Sequence, residues 1–312
     1  MEQISQIIGN KDLFQVKDSG SNNIITSLEA EKSGIKCKSK APEPKTCKYC
    51  GKPLYHEGII LNGQVVFWKP NPQHCTCDKA QKYWTTVDEN KRSAKEQEEM
   101  TQNRVQMQNK INRLLGKSGL KKRFLNRTFE NFICKTPNQK IAFMTAKKYA
   151  DKFQEYFERG IGLYIEGTNG TGKTHLAAAI SLQLINKGVP VVCKTSIELL
   201  DDIKRAFDAN KTNEFEVISV YKQVDLLIID DLGKEQCTDW SMSTLYSILN
   251  DRYEDMKPTI ITTNYNEDSL IKNMTPKGSD NEKIVAIISR LREISTVITM
   301  AWEDYRGDCN ER

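Results

Sequence analysis

Residues 167–174 read Gly167-Thr-Asn-Gly-Thr-Gly172-Lys173-Thr174 and follow a short apolar run over 163–166 that is typical of a buried strand. A helical pattern over 175–187 follows at once, so the stretch matches G-x-x-x-x-G-K-[ST] in its strand–loop–helix setting. Its glycines let backbone N–H groups surround phosphates, and the start of the helix adds partial positive charge. We expect Lys173 to reach the outer phosphates of a nucleoside triphosphate and Thr174 to hold Mg²⁺. The expected nucleotide contacts are Gly167, Thr168, Asn169, Gly170, Thr171, Gly172, Lys173, Thr174 and His175.

Outward from this loop, apolar strand patterns alternate with amphipathic helix patterns. Such alternation is typical of an α/β fold with a parallel sheet that helices cover on both faces. The predicted strands are 163–166, 190–195, 225–230, 259–263 and 296–301, and the predicted helices between them are 175–187, 197–210, 241–254 and 282–293.

Polar residues end two of these strands. Asp230 and Asp231 close the apolar run at 224–229, and Asn264 follows Ile261-Thr-Thr. We expect Asp230 to support Mg²⁺, Asp231 to polarise the attacking water and Asn264 to orient it. The alternatives are a solvated turn for the carboxylates and a turn-forming role for the amide.

The segments GTNGTGKTHLA, LLIIDDLG, TTN and ISRLRE together resemble AAA+ ATPases of the bacterial replicative-helicase loader type, the DnaC and DnaI family with related phage proteins. The resemblance spans about 118–312. It implies ATP hydrolysis, with Arg290 reaching a neighbouring subunit's ATP, Arg292 as the next candidate and Arg306 sensing the γ-phosphate in cis. A simple surface arginine is the alternative for Arg290. Too few residues follow the fifth predicted strand for a C-terminal helical lid, a feature that the related IstB-type transposition helper ATPases share.

The nine cysteines include two close pairs, Cys47 with Cys50 and Cys75 with Cys77. A hairpin predicted at Asn62-Gly63 would bring the pairs together, and four thiolates can surround Zn²⁺ tetrahedrally. The alternatives are His74 or His56 replacing one thiolate, and reduced cysteines buried in a small fold without a metal. The other cysteines are expected to be structural. A zinc module preceding the core resembles the loaders more than the transposition helpers.

The net charge of +5 is unevenly distributed, since residues 79–127 hold 13 Lys and Arg against 5 Asp and Glu, and the remainder holds 33 against 36. Composition predicts a weakly ordered polar arm over 1–46, with a short helix possible within 2–16. The zinc module is then 47–78, a solvated basic helical linker 79–117 and the ATPase domain 118–312. No run of apolar residues is long enough for a membrane span and no leader is evident, so we expect a cytoplasmic protein without a membrane partner.

Single-stranded DNA requires positive charge and stacking surfaces. The candidates are Lys204 with Phe207 and Lys234 with Trp240; the basic segment at Lys121, Lys122, Arg123 and Arg127 is a further one. The alternative for Phe207 is that it belongs to the core side of its helix. The alternative for the basic segment is that it forms a solvated face.

The residues and the resemblance together predict a loader that places a hexameric, DnaB-type replicative helicase on single-stranded DNA. It would use ATP, Mg²⁺ and Zn²⁺, and would be a homo-oligomer when bound to the helicase. The alternatives are a transposition helper that acts on duplex DNA with a transposase, and a zinc-bearing adaptor that binds ATP only structurally.

Overall fold

The computed structural model describes residues 23–116, 124–208 and 214–304. The chain divides into two compact units, Met1–Gln97 (the N-terminal unit) and Glu98–Arg312 (the C-terminal unit), and the division falls inside one long helix. Across the described ranges, every helix is too short or too polar to cross a lipid bilayer.

The N-terminal unit contains two small antiparallel sheets. The larger has the strand order β1-β4-β5, with β1 at Ile24–Thr26, β4 at His56–Leu61 and β5 at Gln64–Pro72; the smaller pairs β2, Lys45–Thr46, with β3, Pro53–Leu54. The β4–β5 turn is the predicted Asn62-Gly63, and both residues have positive φ, 49° and 74°. This is the backbone that a two-residue hairpin requires. Ala30, Val65 and Trp68 form a core on one face of the larger sheet.

Residues 24–46 differ from the weakly ordered arm that their composition predicts. They contribute β1, β2 and helix α1, Ser27–Ser33, which starts with a capping box between Thr26 and Glu29. Strand β1 is three residues long and acquires its hydrogen bonds only from β4, a tertiary interaction that local composition does not reveal. The helix predicted within 2–16 lies outside the described residues.

Helix α2, Asp78–Leu115, has the predicted extent but is not solvated throughout. Within the C-terminal unit, its last turns place Ile111 in the core, completely buried, with Met107 and Leu114 packed against that core. Arg104 forms an ion pair with Asp225 at 2.8 Å. Part of the positive charge of 79–127 is therefore used inside the protein.

The C-terminal unit alternates helices with strands. Helices α3, Pro137–Asp151, and α4, Phe153–Glu158, precede strand β6. The order is then β6 (Gly162–Gly167), α5 (Lys173–Asn186), β7 (Val191–Thr195), α6 (Ser196–Asp208), α7 (Glu214–Gln223), β8 (Leu226–Asp230), α8 (Asp239–Glu254), β9 (Thr259–Thr263), α9 (Glu267–Met274), α10 (Glu282–Glu293) and β10 (Ser295–Met300).

Strands β6 to β10 form one parallel sheet in the order β10-β6-β9-β8-β7. The α/β fold and all five predicted strands are confirmed. Separate apolar clusters cover the two faces of this sheet. Because β6, β9 and β8 are neighbours, the residues at their carboxyl ends meet at one edge, which is where parallel sheets bind ligands.

Candidate functional site

The phosphate loop connects β6 to α5 and depends on glycine at its first position. Gly167 has φ 149°, and a Cβ atom there would lie 2.1 Å from the carbonyl oxygen of Met300 on β10. Gly172 caps α5 with φ 98°, so the backbone turns into the helix without a side-chain cap. The loop can therefore present its backbone N–H groups and the amino end of α5 to an anion.

Lys173 is the first residue of α5 and is only 5% exposed. Its ammonium group donates hydrogen bonds to the carbonyl oxygens of Gly167, at 2.9 Å, and Thr168, at 2.7 Å. The positive charge is thus held within the phosphate loop, and its contact with the outer phosphates of a nucleotide stays a prediction.

Thr174 and Asp230 meet at the edge of the sheet. The Thr174 hydroxyl donates to the Asp230 carboxylate, with oxygen distances of 2.9 and 3.0 Å. Thr262 on β9 donates to the same carboxylate at 2.6 Å and accepts from the backbone N–H of Asp231 at 2.9 Å. Burial raises the pKa of Asp230, against the lowering effect of the Thr262 hydrogen bond. A buried carboxylate beside a hydroxyl is a donor set that suits Mg²⁺.

Asp231 lies next to Asp230 but in a different backbone conformation, with φ 58°. Its carboxylate accepts from the amide of Asn264 at 3.3 Å and pairs with Lys234 at 3.0 Å. The loop after β8 is tied down by Glu235, which accepts from the backbone N–H of Gly233 at 3.0 Å and from the Ser196 hydroxyl. The predicted neighbours Asp231 and Asn264 do meet, and Lys234 joins them.

One cavity of about 620 Å³ is lined by Lys173, Thr174, Asp230, Asp231, Lys234 and Asn264. Its walls also include the segment before α3, through Phe124, Arg127 and Phe132, and Trp302 after β10. The Trp302 indole N–H donates to the carbonyl oxygen of Thr171 at 3.0 Å, and its own carbonyl accepts from Thr168 at 3.3 Å. Sequence reasoning did not find Trp302, although its place directly after the last strand was a usable signal.

His175 connects the phosphate loop to the segment that precedes α3. Its Nε2 donates to the carbonyl oxygen of Thr128 at 2.7 Å, so Nδ1 faces the guanidinium of Arg127 at 3.5 Å as an acceptor. Phe132 contacts the imidazole edge-on, with ring centroids 5.2 Å apart. Burial lowers the pKa of His175 and favours this neutral form. His175 therefore positions the cavity wall.

Of the candidate arginines, Arg290 and Arg292 do not line this cavity within their own subunit. Arg290 donates to the amide oxygen of Asn250 and stacks on Tyr253, 5.3 Å from the ring centroid. Arg292 pairs with Glu166 at 3.0 Å, beside the phosphate loop. Arg306 lies outside the described residues. An action of Arg290 on a neighbouring subunit stays a prediction.

The candidate nucleic-acid residues divide into two groups. Phe207 is 70% exposed, so it is not helix core, and the ammonium of Lys204 lies 5.1 Å from the ring centroid of Trp240, which is 37% exposed. Lys234 instead lies in the nucleotide cavity, paired with Asp231. Lys121, Lys122 and Arg123 lie outside the described residues.

The four paired cysteines converge in the N-terminal unit. The Sγ atoms of Cys47, Cys50, Cys75 and Cys77 all lie within 4.8 Å of one another. The Cys50–Cys75 and Cys47–Cys77 distances are 3.4 and 4.0 Å. A tetrahedral zinc with Zn–S bonds of about 2.3 Å separates its sulfur atoms by roughly 3.8 Å, so the cluster has dimensions that could hold Zn²⁺.

The histidine alternatives are not part of this cluster. His56 is buried and its Nδ1 lies 2.8 Å from the carbonyl oxygen of Lys69, while His74 stacks on Trp84. The backbone hydrogen bond at Tyr49 lowers the pKa of Cys47 to about 7. For Cys75, the hydrogen bond from the Cys77 backbone lowers the pKa. The neighbouring Cys50 thiol and burial outweigh this effect and raise the pKa of Cys75 to about 12. Four thiolates this close would repel one another, so a bound cation would favour the deprotonated form of the cluster.

Comparison with known proteins matches residues 79–311 to the family described as IstB-like ATP binding protein. The replicative helicase loader DnaC of Buchnera aphidicola subsp. Schizaphis graminum is 28% identical over 199 residues, which cover 63% of this chain and 76% of the relative. The DnaC loader of Escherichia coli K12 is 27% identical over 199 residues, 64% of this chain and 76% of the relative. A crystal structure of the DnaC helicase loader shares 25% identity with a TM-score of 0.48, covering 58% of this chain and 99% of that one. The chain belongs to the IstB-like ATP binding protein family and is a DnaC-like AAA+ P-loop protein that binds ATP.

Proposed function

We propose that this protein loads a hexameric, DnaB-type replicative helicase onto single-stranded DNA in the bacterial cytoplasm, and that ATP hydrolysis drives its release. The observation that carries the loading role is the similarity to proteins named replicative helicase loaders over 199 residues. Hydrolysis is supported by the cavity itself, where a phosphate loop, two carboxylates and an amide converge.

The proposed reaction is in-line attack of water on the γ-phosphate of ATP. A bond forms between the water oxygen and phosphorus while the bond from phosphorus to the β–γ bridging oxygen breaks, giving ADP and phosphate. Asp231 accepts a hydrogen bond from the water and Asn264 fixes the carboxylate through its amide. Lys173 neutralises charge on the transferred group from its place at the phosphate loop.

Thr174 and Asp230 would hold Mg²⁺, which neutralises phosphate charge when it is bound. Their mutual hydrogen bond supports this assignment, because the Thr174 hydroxyl and the Asp230 carboxylate are close enough to bind the same ion. Thr262 keeps the Asp230 carboxylate in place through its 2.6 Å hydrogen bond. In the N-terminal unit, the four cysteines would hold Zn²⁺ as a structural ion.

Catalysis would be completed in a homo-oligomer. Arg290, which is partly exposed and stacked on Tyr253, is proposed to reach the γ-phosphate in a neighbouring subunit. An arginine supplied in trans neutralises charge that develops in the transition state. Arg306 is proposed to contact the γ-phosphate in its own subunit. Phe207 and Trp240, with Lys204 beside the latter, are proposed to contact single-stranded DNA.

The test is a mixing experiment with the replicative helicase of the same cell, with and without ATP. Size-exclusion chromatography with light scattering should show a complex of defined stoichiometry. Absence of a complex in both nucleotide states would refute the loading role. The transposition helper is the other candidate, because the matched family is named for IstB-like proteins. Binding to duplex DNA in preference to single strands, with no helicase complex, would favour it.

A further inference from the structure

The cysteine cluster is bordered by a line of aromatic side chains in the N-terminal unit. Tyr49 lies against Tyr83, with ring centroids 6.0 Å apart, and Tyr83 meets Trp84 edge-on at 5.2 Å. Trp84 in turn stacks on His74, at 3.6 Å and an interplanar angle of 3°. We call these four residues the aromatic row.

The members of the aromatic row are buried to different degrees. Trp84 packs with Ala80 against the cysteines, as a side chain that shields a metal site would. Tyr49 and Tyr83, however, are 37% and 41% exposed, and His74 is also exposed. Shielding of the cysteines does not require this exposed aromatic surface, so it is available to a ligand.

Positive charge accompanies the exposed rings. The ammonium of Lys48 lies 4.3 Å from the ring centroid of Tyr83 and 5.0 Å from that of Tyr49. Lys79 is one helical turn before Tyr83 on α2 and is exposed. Residues 45–84 contain six lysines against two acidic residues, and one of these, Glu57, pairs with Lys69.

We propose that the aromatic row, with Lys48 and Lys79, is a binding site for single-stranded nucleic acid. Unpaired bases stack on the exposed surface of Tyr49 and Tyr83, and the lysines contact the phosphates between them. Exposed aromatic rings interleaved with positive charge are the two components that such sites combine. A duplex keeps its base faces stacked internally, so it gains only the lysine contacts here.

This site is separate from the contacts proposed at Phe207 and Trp240, which lie in the other unit. It shares with the proposed function only the nucleic-acid partner and requires neither helicase nor ATP. The two proposals can therefore fail independently. If the wild-type protein forms no helicase complex but still contacts oligonucleotides at the aromatic row, only the loading role is refuted.

The first experiment measures affinity of the full-length, zinc-loaded protein for a fluorescent oligothymidylate of about 12 nucleotides by anisotropy, a length within the range that one such binding fold covers. Tyr49→Ala and Tyr83→Ala should each weaken binding about fivefold or more, the low end of what one stacked base contributes. Phe67→Ala is the matched control, because Phe67 is 46% exposed on β5 and outside the aromatic row, and it should leave affinity unchanged. Zinc content of each variant reports whether the unit is still folded.

The lysines have a distinct signature in salt. Removing one phosphate-binding ammonium, by Lys48→Ala or by Lys79→Ala, should reduce the slope of log affinity against log salt by about 0.7. Tyrosine variants should weaken binding without changing that slope. An oligouridylate of equal length tests whether the site distinguishes RNA from DNA.

Photo-crosslinking of the wild-type protein to a 5-iodouracil oligonucleotide, followed by peptide mapping, locates the contact directly. Crosslinks at Tyr49 or Tyr83 are expected. Crosslinks confined to Glu98–Arg312, together with unchanged affinity of both tyrosine variants, would overturn the proposal. Tyrosine variants that lose the helicase complex while keeping full oligonucleotide affinity would also overturn it, because the surface would then bind protein.

Discussion

Replacing Asp231 by Asn separates the chemical step from folding and nucleotide binding. Asp231 occupies a left-handed backbone conformation, φ 58°, that Asn tolerates better than most residues. The Asn side chain also keeps an acceptor oxygen for the amide of Asn264. What the variant loses is the negative charge that is proposed to polarise the attacking water.

The surroundings of Asp231 set the expected loss of ATP turnover and the expected loss of folding stability. General-base assistance contributes about 10²- to 10⁴-fold to rate, so ATP turnover should fall by that factor. The broken ion pair joins side chains that are 39% and 30% exposed, so its loss should cost at most about 1 kcal/mol of folding free energy. The midpoint of thermal unfolding should then fall by no more than about 4 °C.

The assay is steady-state ATP turnover at saturating Mg²⁺–ATP, accompanied by binding of a fluorescent ATP analogue. Affinity for the analogue should stay within a few-fold of wild type. Asp201→Asn is the matched control, since Asp201 is exposed on α6 and does not line the cavity, and it should leave turnover unchanged. Turnover of Asp231→Asn within about threefold of wild type would refute the role of this carboxylate.

Three further predictions test other parts of the structure. Arg252→Met should destabilise the C-terminal unit by about 3–5 kcal/mol in urea unfolding, because this buried guanidinium donates to four carbonyl oxygens and a hydroxyl. Arg205→Met is the control, since Arg205 is exposed, and it should have little effect on the free energy of unfolding. A similar loss of stability in both variants would contradict this role of Arg252. Cys75→Ser should lower the amount of bound zinc measured by elemental analysis, whereas Cys37→Ser, which lies outside the cluster, should not. An undiminished zinc content in Cys75→Ser would exclude Cys75 as a ligand. Arg290→Ala should abolish ATP turnover in the assembled protein. Mixing Arg290→Ala with Lys173→Ala should restore part of the turnover, since the first variant supplies an intact phosphate loop and the second an intact Arg290. Failure of mixing to restore turnover would argue against action between subunits.

Much of the C-terminal unit could be predicted from sequence because its signals are local. The buried strands are continuous apolar runs, and the phosphate loop is a contiguous motif, so the predicted bounds of β6, β8 and β9 agree with the structure to within a residue or two. Parallel pairing then requires Asp230 and Asn264 to reach one edge, which the structure shows.

The features that sequence reasoning missed depend on long-range contacts. Thr262 reads as an ordinary strand residue until β8 lies beside β9 and brings Asp230 within 2.6 Å of its hydroxyl. Lys234 is adjacent to an aromatic-containing loop in sequence but turns back onto Asp231. Strand β1 and the packed end of α2 likewise acquire their partners only in the folded protein.

The N-terminal unit shows a similar division. The hairpin at Asn62-Gly63 and the convergence of the four cysteines follow from turn chemistry and spacing. The aromatic row does not, because Tyr49 and Tyr83 are far apart in the sequence and meet only across the folded cluster.

Helicase loading on circular single-stranded DNA, which offers no free end for threading, is the decisive measurement for the loading role. The helicase should become stably bound to the circle only when this protein and ATP are both present, and Lys173→Ala should abolish loading. Equal amounts of bound helicase with and without the protein would contradict it.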